Sequence, residues 1–158
     1  MKRLRFQIGG LDALDGRIRR ALAADGRKTM ADLAREAGLS PPSVTERVRR
    51  LEEAGVIQGY GTRLSPAALG LPLAAYVRVR PMPGQLRKVA EILGEIEAVV
   101  ECDRVTGEDC FVAKAHVRSV EELEAVIDRV IPYAMTNTSI VQSSPVKPRL
   151  PPLPCPPA

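Results

Sequence analysis

Apolar residues recur at helical spacing in two short blocks between residues 30 and 60, on either side of a tight turn. In MADLAREAGLSPPSVTERVRRLEEAGVIQGY, Leu33, Ala34 and Ala37 share one face of a block that stops at Gly38. Glycine there suits the left-handed conformation just past a helix end. Ser40 is placed to cap a second helix and Pro41 to open it, where a missing N–H costs nothing. Val44, Val48 and Leu51 follow at i, i+4 and i+7, with Pro42, Thr45, Glu46, Arg49 and Glu53 around the opposite side. Upstream, Leu14, Ile18 and Leu22 form a further stripe, with Asp12 as its cap, Asp15 in its first turn and Asp25-Gly26 at its end. Thr29 and Asp32 are spaced as a capping box for the helix between. The pattern predicts a three-helix bundle with Leu14, Ile18, Leu22, Leu33, Val44, Val48, Leu51 and Ile57 as core, and a helix-turn-helix within it.

Beyond Gly55 the period changes. Residues 56–64 (VIQGYGTRL) have β-branched positions broken by glycines and predict a short strand that serves as a hinge, or as a wing carrying Arg63. Residues 73–80 (LAAYVRVR) predict a strand whose faces alternate as Leu73, Ala75, Val77, Val79 against Ala74, Tyr76, Arg78, Arg80. Leu86, Val89, Ala90, Leu93 and Ile96 mark an amphipathic helix. Strands follow at 99–105 and 110–117 around the hairpin loop Thr106-Gly107-Glu108-Asp109. Ser119 caps a last helix with Leu123, Val126, Ile127 and Val130 on one face, Pro132 ends it, and residues 137–144 form a fourth strand. The order β-α-β-β-α-β is the ferredoxin-like plan. The fold class expected is therefore α+β: a winged-type helix-turn-helix bundle over residues 1–60, a hinge strand at 61–72, a ferredoxin-like ligand-sensing and oligomerisation domain at 73–148, and a Pro-rich tail at 149–158. Such a sheet carries helices on one face only. Its other face is half apolar here, so a homodimer with sheets facing each other is expected.

Charge sharpens this division. Residues 1–64 carry 13 Lys+Arg against 8 Asp+Glu, whereas residues 65–158 carry 10 against 11. The basic half is the helix-turn-helix half, which points to a polyanion-binding module joined to a neutral one. On the second helix of the motif, Ser43, Thr45 and Glu46 can approach base edges of double-stranded DNA beside Pro42, and Arg47, Arg49 and Arg50 can reach phosphates or guanine. Three cysteines without CxxC spacing and a single histidine argue against a metal site or disulfide framework, so the cysteines are expected as buried or half-buried small hydrophobes. No run approaches a membrane span, and a cytoplasmic protein is expected.

The run LDALDGRIRRALAADGRKTMADLAREAGLSPPSVTERVRRLEEAGVIQGY resembles the DNA-binding half of the leucine-responsive and asparagine-responsive regulators, the Lrp/AsnC family. VTGEDCFVAKAHVRSVEELEAVIDRVIPYAMTNTSIVQSSPV resembles their sensing half. The resemblance implies a transcriptional regulator that forms dimers and assembles further, often into octamers, and whose DNA binding responds to an amino acid or related effector. It places the effector against Thr106, Gly107, Glu108, Asp109, Thr136 and Thr138. Hairpin N–H groups and threonine hydroxyls suit a carboxylate, and the acidic pair suits an ammonium. No cofactor is expected beyond that effector. Where related members with this hairpin read YGQTTTSIV, this chain reads Tyr133-Ala134-Met135-Thr136-Asn137-Thr138-Ser139-Ile140-Val141. The competing reading is a small-molecule sensing or enzymatic ferredoxin-like domain with a non-functional helix-turn-helix. Its chemistry is thin: His116 stands in a strand without an evident partner, and Asp109 beside Cys110 disfavours a thiolate. A third reading is an assembly protein whose sheet face binds a different chain.

Overall fold

The computed structural model describes residues 11–152. The basic lead at residues 1–10 and Cys155 lie outside the described residues. The chain divides into two compact units, one extending to Thr62 and taking in the residues from Pro148 onward, the other spanning Arg63–Lys147.

In the first unit three helices form: α1 (Ala13–Ala24), α2 (Met30–Ala37) and α3 (Pro41–Glu53). Both expected capping boxes are present. Asp12 accepts from the Asp15 N–H at 2.8 Å while Asp15 accepts from the Asp12 N–H at 3.2 Å. Thr29 and Asp32 exchange the equivalent pair at the start of α2. Such a box satisfies backbone donors that a first turn otherwise leaves unpaired. Gly38 closes α2 at φ 72°, where a Cβ would be strained, and frees the chain to turn into α3. The core is Ile18, Leu33, Ala34, Ala37, Val44, Val48 and Leu51, with Leu11, Ala21, Leu22, Leu39, Val56 and Ile57 packed on it.

The strand expected over residues 56–64 and into the hinge does not form. Gly55 and Gly59 take positive φ, and no other extended segment among the described residues of this unit could pair with it. Within the hinge, Ala67–Leu69 make one 3₁₀ turn.

The second unit is the expected β-α-β-β-α-β: β1 (Leu73–Pro81), α4 (Leu86–Glu95), β2 (Val99–Arg104), β3 (Phe111–Val117), α5 (Val120–Asp128) and β4 (Ala134–Ile140). The sheet is antiparallel in the order β2-β3-β1-β4. Its covered face buries Ala75, Val77, Val79, Phe111, Ala113, Ala115 and Val117 against Val89, Ile92, Leu93, Leu123 and Val126. The alternate residues of β1, Tyr76, Arg78 and Arg80, are exposed. Three details differ from expectation. β4 starts at Ala134 rather than at residue 137 and ends at Ile140, because Pro81 at the end of β1 pairs with Ala134 and Ala75 pairs with Ile140. The partner strand's length, not the β-branched run, sets those limits. On α4, Ile92 takes the core position and Ala90 is exposed, so the buried set is Val89, Ile92, Leu93 and Ile96. That is the i, i+3, i+4, i+7 register, with Leu86 half-buried at its edge. Cys102 is exposed rather than buried, since β2 is an edge strand, whereas Cys110 is half-buried as expected.

Candidate nucleic-acid interface and effector cleft

α3 buries Val44, Val48 and Leu51 and leaves Pro42, Ser43, Thr45, Glu46, Arg49 and Arg50 exposed. Ser40 sits at the N-cap in extended backbone, yet its hydroxyl caps nothing: it bonds the Ser43 hydroxyl at 2.9 Å. Pro42 contributes to this, because it removes the second-position N–H that a cap would serve. Thr45 donates to the Pro41 carbonyl at 2.9 Å. Arg49 lies along the surface between Glu46 and Glu53, with Nη2 2.6 Å and Nε 3.0 Å from the Glu46 carboxylate. The bond from Arg49 holds the Glu46 carboxyl below its usual range, and Glu46 in turn raises Arg49. Exposed pairs at this spacing are worth little and are screened by salt, so a phosphate can compete for the guanidinium.

Arg47 faces the other way. Its Nη1 donates to Asp12 and Asp15, each at 2.7 Å, and its side chain is 22% exposed. Asp15 is fully buried, and its second oxygen accepts from Arg50 at 3.2 Å and from the Asp12 N–H. Burial by itself would raise the Asp12 carboxyl, but the Asp15 N–H and the Arg47 guanidinium outweigh it and hold it low. The first-turn carboxylates of α1 therefore fasten α3 through Arg47 and Arg50. Sequence reasoning grouped Arg47 with the DNA contacts. The signal it passed over is position: 44, 47, 48 and 51 fall at i, i+3, i+4 and i+7, so Arg47 belongs at the border of the buried stripe.

In the second unit a cleft of about 410 Å³ is lined by Arg78, Arg80, Glu108, Asp109, Met135, Thr136 and Asn137. It brings together Glu108, Asp109 and Thr136 from the expected set. Thr106 and Gly107 lie on the same hairpin outside the lining, and Gly107 takes φ 114° to turn the loop. Thr138, which pairs with Val77 further along β4, also lies outside the lining. Arg78, Arg80, Met135 and Asn137 were not expected there, although strand alternation had already put both arginines on the open face. Arg80 donates to the Glu108 carbonyl at 3.1 Å and to its carboxylate, and stands 4.0 Å from Asp109. Arg78 donates to the Asn137 side-chain oxygen at 3.0 Å and has no carboxylate partner among the described residues. His116 is half-buried on β3, and burial, with Lys114 beside it, lowers its pKa. Among the described residues no group of three or more His, Cys, Asp or Glu could hold a metal ion, and no helix is long and apolar enough to cross a membrane.

Comparison with known proteins bears on both units. Residues 11–58 match the winged helix-turn-helix DNA-binding domain, and residues 74–151 match the Lrp/AsnC ligand binding domain. The HTH-type transcriptional regulator LrpA of Mycobacterium tuberculosis is 43% identical over 129 residues, which cover 81% of this chain and 86% of LrpA. LrpC of Bacillus subtilis is 35% identical over 133 residues, 84% of this chain and 92% of LrpC. A solved feast or famine regulatory protein of M. tuberculosis, complexed with L-methionine, superposes with a TM-score of 0.84 at 38% identity, covering 92% of this chain and all of that one. With both domains matched in the same order and the helix-turn-helix and sheet geometry in place, the chain is a DNA-binding transcriptional regulator of the Lrp/AsnC family.

Proposed function

We propose that α3 enters the major groove with Ser43, Thr45 and Glu46 toward base edges beside Pro42, that Arg49 and Arg50 meet phosphates or guanine, and that Arg47 positions the helix from behind. The observation that carries this reading is the division of α3, whose exposed first turn is small and polar while its opposite face and Arg47 are bound to α1 and α2. The sheet unit pairs two such heads. Its open face presents Tyr76 and Met135, at 43% and 66% exposure, among cationic side chains, and a second copy covers it in a homodimer that can assemble further, as far as an octamer. A protein of this kind works in the cytoplasm at promoter DNA.

The cleft of the sheet unit takes an amino acid. Arg78 holds its carboxylate, Asp109 and Glu108 its ammonium, Thr136 adds a hydroxyl, and Met135 offers an apolar wall. The L-methionine held by the M. tuberculosis relative sets the starting point for a panel. Thermal unfolding against the amino acids tests this half: a ligand at a hundred times its dissociation constant adds about 2.7 kcal/mol. A flat response across the panel removes the effector from the account. Gel-shift titrations with promoter fragments at several salt concentrations test the other half, and absence of any shift at low salt removes the reading helix.

A further inference from the structure

The cleft of the sheet unit holds a cation of its own at the place where an amino acid would bring one. Arg80, on the open face of β1, donates through Nε to the Glu108 carbonyl at 3.1 Å and through Nη2 to the Glu108 carboxylate, and Nε stands 4.0 Å from an Asp109 oxygen. Its guanidinium therefore occupies the acid pair that the amino-acid reading assigns to the ammonium. Arg78, on the same face, is engaged differently: it donates to the Asn137 side-chain oxygen at 3.0 Å and has no carboxylate partner among the described residues. The cleft is thus occupied at its acidic end and available at its cationic end. Arg80 is not what shapes the hairpin. Val105 donates to the Cys110 carbonyl at 2.9 Å and Cys110 to the Val79 carbonyl at 3.0 Å, so backbone bonds fix the base of the hairpin to β1, and Gly107 turns its tip. What Arg80 and Glu108 add is a surface ion pair, with side chains 44% and 86% exposed. Such pairs are worth little, so a second cation can displace the first.

We propose, resting on the amino-acid reading of this cleft, that Arg80 is an internal stand-in for the effector's ammonium, a latch that must leave Glu108 before an amino acid is fully held. A zwitterion brings its carboxylate to Arg78 and its ammonium to Glu108 and Asp109, and the guanidinium of Arg80 is released to water in exchange. A ligand with a carboxylate alone meets Arg78 but carries nothing that can displace Arg80. The latch therefore selects ligands that bear both charges. It also raises the concentration at which they bind, because only the unlatched fraction of the protein offers both acids.

The test compares the full chain with Arg80→Gln, Glu108→Gln and the double variant. Both side chains are exposed, so neither substitution touches the core. Each protein is titrated calorimetrically with the standard L-amino acids and, for every amino acid that binds, with the carboxylic acid that lacks its amino group. Removing the lining cation is expected to tighten amino-acid binding: Arg80→Gln gains about threefold over the parent, the size of a surface ion pair. The acid without an amino group gains nothing. In the Glu108→Gln background the same Arg80→Gln step gains less, because the pair it breaks is already absent. Arg80→Gln that binds the amino acid no more tightly than the parent overturns the latch and leaves the effector reading in place. An equal gain with Glu108 already replaced, or an equal gain for the acid without an amino group, also overturns it, by assigning the effect to something other than the Arg80–Glu108 pair. Silence of all four proteins toward every amino acid removes the effector reading, and the latch with it.

Discussion

Two arginines two positions apart on one helix have opposite duties. Arg47 serves a buried carboxylate, while Arg49 lies on the surface between two exposed ones. Asp15→Ala leaves Arg47 and Arg50 without their shared partner. Breaking a buried pair of this kind costs about 3 kcal/mol, expected as a lower urea midpoint at unchanged slope. Arg49→Ala is expected to leave that midpoint within about 0.5 kcal/mol of the parent, since surface changes of this type move stability little. In a gel-shift series it instead weakens binding to all sequences and flattens the salt slope by about one unit. A large stability loss from Arg49→Ala, or none from Asp15→Ala, would sink this division of labour. His116 supplies a titration at the same scale. Its pKa is lowered in the fold, by burial first and Lys114 second, so between that value and the unfolded value near 6.5 the unfolded chain binds more protons. Stability is full above 6.5 and falls as pH drops through the lowered folded pKa. His116→Gln is expected to flatten this part of the pH profile measured by thermal unfolding.

At the scale of elements, the caps of α1 and α2 were legible, whereas the side-chain cap expected from Ser40 on α3 and the limits of the strands were not. Asp12 with Asp15, Thr29 with Asp32, and Gly38 act through residues three or four apart, so the chain's own spacing specified them. α4 was legible in kind and misplaced in detail. Ala90 and Ile92 both fit a broad apolar arc, and packing under the sheet chose the larger side chain. Ile92→Ala is therefore expected to cost about 2–5 kcal/mol in chemical denaturation and Ala90→Ser less than 1, the first leaving a cavity and the second facing water. Equal costs would mean that the helix is rotated from its described setting. β4 shows the opposite limitation, because its ends follow from where β1 begins and stops. No local pattern in residues 134–144 contains that information.

For the molecule as a whole, the open face of the sheet is where the proposed pairing of two copies can be tested. Tyr76 stands there with Lys114 5.8 Å from its ring centroid. A glutamate at this position removes the ring, faces Lys114 across the strand pair, and takes away the apolar surface that a second copy would cover in the proposed dimer. Tyr76→Glu is accordingly expected to shift sedimentation toward the single chain at low micromolar concentration, while circular dichroism and the thermal midpoint of the isolated fold stay close to the parent. An unchanged sedimentation profile would move the interface elsewhere. If the proposed dimer joins two heads in one particle, the same variant is expected to lose affinity for a two-half-site promoter more than for a single half-site.

The sequence by itself determined the elements and their order: two periodicities, local caps and a basic first half were enough for a helix-turn-helix followed by a ferredoxin-like sheet. It determined most core positions as well, since burial follows from spacing along one helix or strand. The tertiary structure alone decided which polar side chains work inward and which outward. Asp15 becomes a buried acceptor when α3 crosses α1, Arg78 and Asn137 become neighbours when β1 pairs with β4, and Leu150 comes to line the same cleft as Tyr60 across some ninety residues of chain. These partners are far apart in sequence, and a polar residue carries no mark of the distant group that will satisfy it until the backbone has brought the two together.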